Sequence, residues 1–211
     1  MPAADTPRIL LIAAASLLLG VALANWPASL PLRPGVLGAA LLVGAALWMR
    51  RHWARRRAQV GDDPSAAERR LWLYLVGSGV IVGFVACVLL TPGSEVHRAN
   101  GDTGGLDSWL MLGGAAVAWW ILAEPDDARD ERDREIAAYG DRVGYWTLVL
   151  LLMVFLLALG FAPREQMQRF THWLIANTLL NLIMVAGLVQ YVAQLARYAR
   201  ERRLDDAAAR E

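Results

Sequence analysis

Residues 143–162 have the sequence VGYWTLVLLLMVFLLALGFA, an apolar run without a charged side chain. A helix needs about 20 apolar residues to cross the hydrocarbon core of a bilayer. Five further apolar runs lie at residues 9–26, 35–49, 71–90, 106–123 and 171–195. The pattern predicts an all-α integral membrane protein, a six-transmembrane-helix bundle in which residues 1–211 form a single transmembrane domain.

The composition excludes several classes of protein. Of the 211 residues, 56% are hydrophobic and 19% are charged, an apolar excess too large for a disordered chain or an ordinary soluble domain. The net charge of +1 gives no reason to expect direct nucleic-acid binding. Because Cys87 is the one cysteine, no internal disulfide can form. We also expect no cofactor and no metal site.

The distribution of arginine sets the predicted orientation, since all 21 basic residues are arginine. With both termini in the cytoplasm, 17 of the 21 lie inside and four outside, as the positive-inside rule requires. The nine tryptophans fall near predicted span ends, where indole rings favour the interface. We therefore predict three hairpins with both termini cytoplasmic. The Ala22-Leu23-Ala24 sequence imitates a signal-peptide cleavage site, but the run before it is long, so we expect an uncleaved first helix.

Small residues predict how the helices pack, because they let helix backbones approach closely in lipid. Gly79 and Gly83 on the third span form a GxxxG arrangement, and Gly113 with Gly114 lies at similar depth on the fourth. We expect these two spans to pack against each other. Homodimerisation through one of these faces is the alternative, and the sequence leaves the oligomeric state open.

Polar residues inside the spans are few. No charged side chain lies near the centre of any span, so the usual signature of a proton-coupled transporter is missing. Asn177 and Asn181 are four residues apart on the last span and share a helical face. They are interpreted first as interhelical hydrogen-bonding residues. The alternative is that they line the path of a small transporter or channel for an uncharged or lipid-like solute.

The cytoplasmic segments carry opposite charge: residues 50–70 have a local charge of +4 and residues 124–142 of −4. The basic segment is expected to contact anionic lipid headgroups through Arg50, Arg51, Arg55, Arg56 and Arg57. In the acidic segment we predict a charged helix at about residues 126–139, which begins after Pro125 and stops at Gly140. Its candidate surface for a cytosolic or membrane protein partner consists of Asp130, Glu131, Arg132, Asp133, Arg134 and Glu135.

Candidate catalytic groups are lacking. Glu95, His97 and Asp102 share the external loop, but their spacing fits no metal template, and His52 and His172 lie at span edges or in connections. No catalytic residue is predicted. A lipid-modifying membrane enzyme would need folding to bring such loop residues together, and loss of such an activity on His97→Ala would revive that class.

The sequence DERDREI at residues 130–136, followed by Gly140, an apolar hairpin and an Arg-rich tail, resembles uncharacterised small bacterial multi-spanning inner-membrane proteins. The resemblance covers about residues 124–203. It implies a multi-pass protein of the bacterial cytoplasmic membrane and, because some such proteins look like accessory partners of helix-turn-helix regulators, a cytosolic docking role. Our leading hypothesis is therefore a non-enzymatic accessory or regulatory protein that acts through cytoplasmic partner contacts.

Overall fold

The computed structural model describes residues 6–27, 32–57, 66–97, 106–123, 131–167 and 170–208. These residues form seven α-helices and one 3-10 turn, without a strand, which confirms the predicted all-helical fold. The helices are α1 (Thr6–Ala24), α2 (Pro34–Arg57), α3 (Ala66–Leu90), α4 (Leu106–Ile121), α5 (Glu131–Phe161), α6 (Arg164–Met167) and α7 (His172–Ala208), and the 3-10 turn is Glu95–His97.

Four helices are long and apolar enough to cross a membrane. They are Thr6–Ala24, Ala67–Leu90, Glu131–Phe161 and His172–Leu204. The helix α4 is also apolar but has only 16 residues. The helices α5 and α7 have 31 and 37 residues. At about 1.5 Å per residue they extend for roughly 46 and 55 Å, beyond a hydrocarbon core of ~30 Å.

The first and third helices pack side by side and run in the same direction. A Cβ built on Gly79 would collide with the Ser16 side chain, and one built on Gly83 would collide with the Leu17 carbonyl oxygen. Along this contact the residue numbers of α1 and α3 increase in the same direction, so the two helices are parallel. Glycine is needed here because the two backbones are nearly in contact.

The second and fourth helices form another parallel pair. The Gly35 N–H donates to an Asp107 carboxylate oxygen over 3.1 Å, at the start of both helices. Further along, a Cβ on Gly114 would lie 2.6 Å from the Cα of Ala39. Gly113, by contrast, has no atom of the described structure within 4 Å of its Cβ position.

The predicted packing of the third span against the fourth, through Gly79 and Gly83 on one side and Gly113 and Gly114 on the other, is wrong. The helix α3 packs on α1 and touches α4 only lightly, and the predicted hairpin partners α1 and α2 also make little contact. Small residues occur on all four helices, so the pattern identified close packing but could not identify the partner. Of the three predicted hairpins, only the last, α5 with α7, is closely packed in the described part of the chain.

The helix α3 lies at the centre of the bundle and α5 at its edge. In the apolar window of α3, 61% of the residues are buried, whereas the figure for α5 is 6%. One core cluster includes Val85 of α3 and Met184 of α7. The second lies nearer the start of α3 and includes Leu75, Ile136 and Leu195. The helix α7 therefore connects α5 to the rest of the fold.

The predicted charged helix at residues 126–139 is not a separate element. Residues 124–130 lie outside the described ranges, and from Glu131 a single helix continues to Phe161. Gly140 does not stop it: the residue is helical, and a Cβ at that position would collide with the Gln194 side chain of α7. Gly140 therefore permits close packing of α5 against α7 and does not end a helix.

Candidate functional site

The predicted docking residues lie in the first turns of α5. Glu131, Arg134 and Glu135 are exposed there. Asp130 lies outside the described residues. Carboxylates near the start of a helix complement its positive end, which favours helix formation from Glu131 onward. These three exposed residues form a charged surface that we call the α5 face.

Two of the predicted docking residues, Arg132 and Asp133, instead bond to α7. Asp133 is 5% exposed and accepts a hydrogen bond from the Tyr198 hydroxyl of α7. The Nε of Arg132 donates to a Glu201 carboxylate oxygen over 2.8 Å. Because Asp133 is buried, it is not available to bind a partner, and the prediction that it belongs to the docking surface is wrong. Both contacts instead fix the rotation of α5 relative to α7.

The same end of the bundle contains a second buried carboxylate, that of Glu68, which is also bonded to α7. Glu68, at the start of α3, forms an ion pair with Arg202 of α7, and the Glu68 side chain is 6% exposed. Arg70 of α3 lies with Asp133 and Tyr198 around a cavity of about 50 Å³. A cavity of that size has room for a few water molecules. The residues Glu68, Arg70, Asp133, Tyr198 and Arg202, here called the polar cluster, join α3, α5 and α7 at this end of the bundle.

The polar cluster continues into the contact between α5 and α7 through two glutamines. The Nε2 of Gln190 donates to an Asp141 carboxylate oxygen over 2.7 Å. The Nε2 of buried Gln194 donates to the Ala137 carbonyl oxygen over 3.3 Å. A side chain that bonds a backbone carbonyl of the neighbouring helix fixes the register between the two helices.

A larger open groove lies beside this contact. It has a volume of about 530 Å³. Its lining includes Tyr139 of α5 and, from α7, Ala193, Ala196, Arg197, Arg200 and Leu204. The guanidinium carbon of Arg197 lies 5.1 Å from the centre of the Tyr139 ring. We call this feature the α5–α7 groove.

The predicted amide pair lies on α7, closer to its beginning. Asn177 is completely buried, and its Nδ2 donates to the Trp173 carbonyl oxygen of the same helix over 2.9 Å. Within the described part of the chain, the buried Oδ1 atoms of Asn177 and Asn181 have no hydrogen-bond partner. Neither residue lines the 50 Å³ cavity or the α5–α7 groove. The expected interhelical bonds through these oxygens are therefore not formed between described atoms.

The arginine-rich end of α2 contacts the end of α4. Arg50, Arg51 and Arg55 are exposed. An Nη1 of Arg50 donates to the Ile121 carbonyl oxygen over 3.3 Å, which satisfies a carbonyl at the end of α4. The side chains of Arg56 and Arg57 lie outside the described structure. Exposure of three arginines agrees with the predicted headgroup contact but does not test it.

The described residues of the loop that the sequence predicts to be external do not assemble a reactive site. The Oγ of Ser94 lies 2.8 Å from Nδ1 of His97. The Glu95 side chain and Asp102 lie outside those ranges. Among the residues that the structure describes, no three His, Cys, Asp or Glu side chains are grouped so that they could hold a metal ion.

The chain matches no protein-family model, no curated protein and no solved structure. The resemblance to bacterial inner-membrane proteins through residues 130–136 therefore stays a prediction.

Sequence reasoning missed four members of the polar cluster. Glu68 and Arg70 lie in an Arg-rich segment, and Tyr198 and Arg202 lie in what resembles a solvated tail. A signal was present in the spacing, because Leu195, Tyr198 and Arg202 recur at helical intervals and so share a face. That face packs against α3 and α5 in the structure.

Proposed function

We propose that this chain is a non-enzymatic accessory or regulatory protein of the bacterial inner membrane that binds a cytosolic or membrane protein partner through the α5 face. It would cross the membrane six times with both termini in the cytoplasm, as the arginine distribution predicts. The partner would contact Glu131, Arg134 and Glu135, with the end of α7 beside them.

One observation carries this proposal: the charged start of α5 is held rigidly against α7. Asp133 bonds Tyr198, and Arg132 bonds Glu201, so the helix cannot rotate without breaking both contacts. The three residues of the α5 face are consequently presented outward in one arrangement. A surface that is already ordered loses less conformational entropy on binding, which favours affinity.

The lengths of the two helices support the same interpretation. Both α5 and α7 exceed the hydrocarbon thickness, and their charged portions lie together at one end of the bundle. The ion pair of Glu68 with Arg202 brings the start of α3 to that end as well. Three helices therefore support a charged surface beyond the apolar region.

The experiment compares partner recovery between two variants. Glu131→Ser, Arg134→Ser and Glu135→Ser together remove the α5 face without touching the polar cluster. Arg164→Ser with Glu165→Ser is the control, since both residues are exposed in α6, which follows the opposite end of α5. We expect a stoichiometric partner to be lost in the first variant and retained in the control, by quantitative mass spectrometry of protein purified in mild detergent. Equal recovery of the partner with the wild type and with both variants would remove the basis for a docking role.

A second candidate, a path for a small uncharged solute, is supported by the two buried amide oxygens of Asn177 and Asn181. A buried acceptor without a donor is costly, and a permeating solute with an O–H or N–H group would satisfy it. Swelling of proteoliposomes in glycerol tests this candidate. We expect faster swelling than in protein-free vesicles and loss of that difference in Asn177→Leu. Equal rates with and without protein would eliminate the path.

A further inference from the structure

The α5–α7 groove changes in character along its length. Ala193 and Ala196 give one end a small apolar lining, and Arg197 and Arg200 line the end nearer the terminus of α7. Ala193 belongs to the apolar run at residues 171–195, whereas the arginines follow that run. In the membrane placement proposed above, the groove therefore crosses the boundary between hydrocarbon and headgroups.

The groove also has an excess of positive charge. Among its described lining residues, Glu201 is the one carboxylate, and it already bonds Arg132 over 2.8 Å and Arg197 over 3.2 Å. Arg200 is exposed and makes no ion pair within the described part of the chain. Two arginines and one carboxylate therefore line the described groove, which leaves it complementary to an anion.

The aromatic residue at this boundary is placed to fit a lipid. Tyr139 lies one helical turn before the apolar run at residues 143–162, and aromatic rings favour that interfacial depth. Its ring lies under the Arg197 guanidinium, which holds that arginine at the mouth of the groove. Small apolar side chains at Ala193 and Ala196, next to the guanidinium groups of Arg197 and Arg200, match an acyl chain attached to a phosphate.

We propose that the α5–α7 groove binds one anionic phospholipid, with its phosphate against Arg200 and Arg197 and an acyl chain along Ala193 and Ala196. The lipid would occupy the open side of the contact between α5 and α7. The proposal rests on the membrane placement in the proposed function, but it requires no protein partner.

The test measures lipid that stays bound to the purified full-length protein. The protein is reconstituted in phosphatidylcholine vesicles containing a minor fraction of phosphatidylglycerol and extracted in mild detergent, and retained lipids are quantified by native mass spectrometry. We expect enrichment of phosphatidylglycerol over its fraction in the vesicle. Arg200→Gln should weaken its retention about five-fold, equivalent to the ~1 kcal/mol of a basic residue near a membrane surface.

Two further variants keep the test specific. Arg142→Gln is the matched control, because Arg142 is an exposed arginine on α5 at the same end and does not line the groove. It should retain phosphatidylglycerol as the wild type does. Ala193→Phe fills the apolar end without changing charge and should lower retention as well.

Three outcomes would overturn the proposal. Equal loss in Arg142→Gln and Arg200→Gln would mean that diffuse surface charge attracts the lipid. Unchanged retention in Arg200→Gln, or no preference over phosphatidylcholine, would mean that the groove does not select an anionic headgroup. The variant lacking Glu131, Arg134 and Glu135 should keep its phosphatidylglycerol, so failure of the docking role and failure of the lipid site are distinguishable.

Discussion

The substitution Gly83→Ala tests the packing of α1 on α3 most directly. A Cβ at this position would meet the carbonyl oxygen of Leu17 at a separation that real Cβ atoms do not show. The obstructing atom belongs to a helix backbone and cannot rotate away, so the two helices have to separate. Overpacking of this kind typically costs about 1–3 kcal/mol. Replacing glycine by alanine within a helix contributes up to about 1 kcal/mol in the opposite direction.

Gly113→Ala is the matched control on α4. Nothing in the described structure lies within 4 Å of its Cβ position, so only the helix-propensity gain remains. Because the helix-propensity gain applies to both variants, we expect Gly83→Ala to be less stable than Gly113→Ala by the overpacking cost alone, about 1–3 kcal/mol. For a chain of this size, a change of 1 kcal/mol moves Tm by roughly 2–4 °C. Thermal unfolding in detergent, followed by circular dichroism, should resolve the two variants by several degrees.

The outcome separates two packing arrangements. If Gly113→Ala were as destabilising as Gly83→Ala, the small-residue faces of α3 and α4 would be packed together, as the sequence alone indicates. If both substitutions left Tm at or above the wild-type value, the close approach of α1 and α3 would be refuted.

Three further changes test the polar cluster and the contact between α5 and α7, all by the same unfolding measurement. Tyr198→Phe removes the donor to the buried Asp133 carboxylate and should lower the free energy of unfolding by about 1–3 kcal/mol. Tyr139→Phe is the control, because Tyr139 is 42% exposed, and it should change stability little. Equal losses of stability in the two variants would contradict the buried hydrogen bond. Glu68→Gln removes the charge that pairs with an arginine of α7 and should cost about 3 kcal/mol; an unchanged Tm would count against that ion pair. Gly140→Ala forces the buried Gln194 side chain to move and should cost about 1 kcal/mol of stability. Gly160→Ala is the control, because nothing lies within 4 Å of its Cβ position, and it should be neutral or stabilising. If Gly160→Ala were the more destabilising of the two, the contact between Gly140 and Gln194 would be excluded.

Hydropathy predicted where the helices are better than how they pair. The run at residues 106–123 corresponds to Leu106–Ile121, and the run at residues 71–90 lies within Ala66–Leu90. Apolar length determines such boundaries locally, because each helix has to satisfy its own backbone. Pairing depends on which glycine faces which neighbour, and a run of small residues does not contain that information.

The candidate site could be predicted only in part, for a related reason. The charge pattern draws attention to the start of α5, where Glu131 and Arg134 are exposed. Asp133 looks the same in sequence as its charged neighbours, and its burial depends on Tyr198, which is 65 residues away along the chain. Local charge cannot reveal a partner at that distance. Helical spacing identifies which residues share a face but not the element that covers the face.

The parallel pairs α1 with α3 and α2 with α4 have a consequence for biosynthesis. In the six-span arrangement proposed above, a ribosome would deliver α1 and α2 to the membrane before either partner has been made. The two helices would then enter the bilayer with the faces of Ser16 and Ala39 open to lipid, and insertion would be separated in time from folding. Both faces close only after α3 and α4 are synthesised. A nascent chain that terminates after α2 would expose both faces to membrane quality control, whereas one that terminates after α4 would contain both pairs.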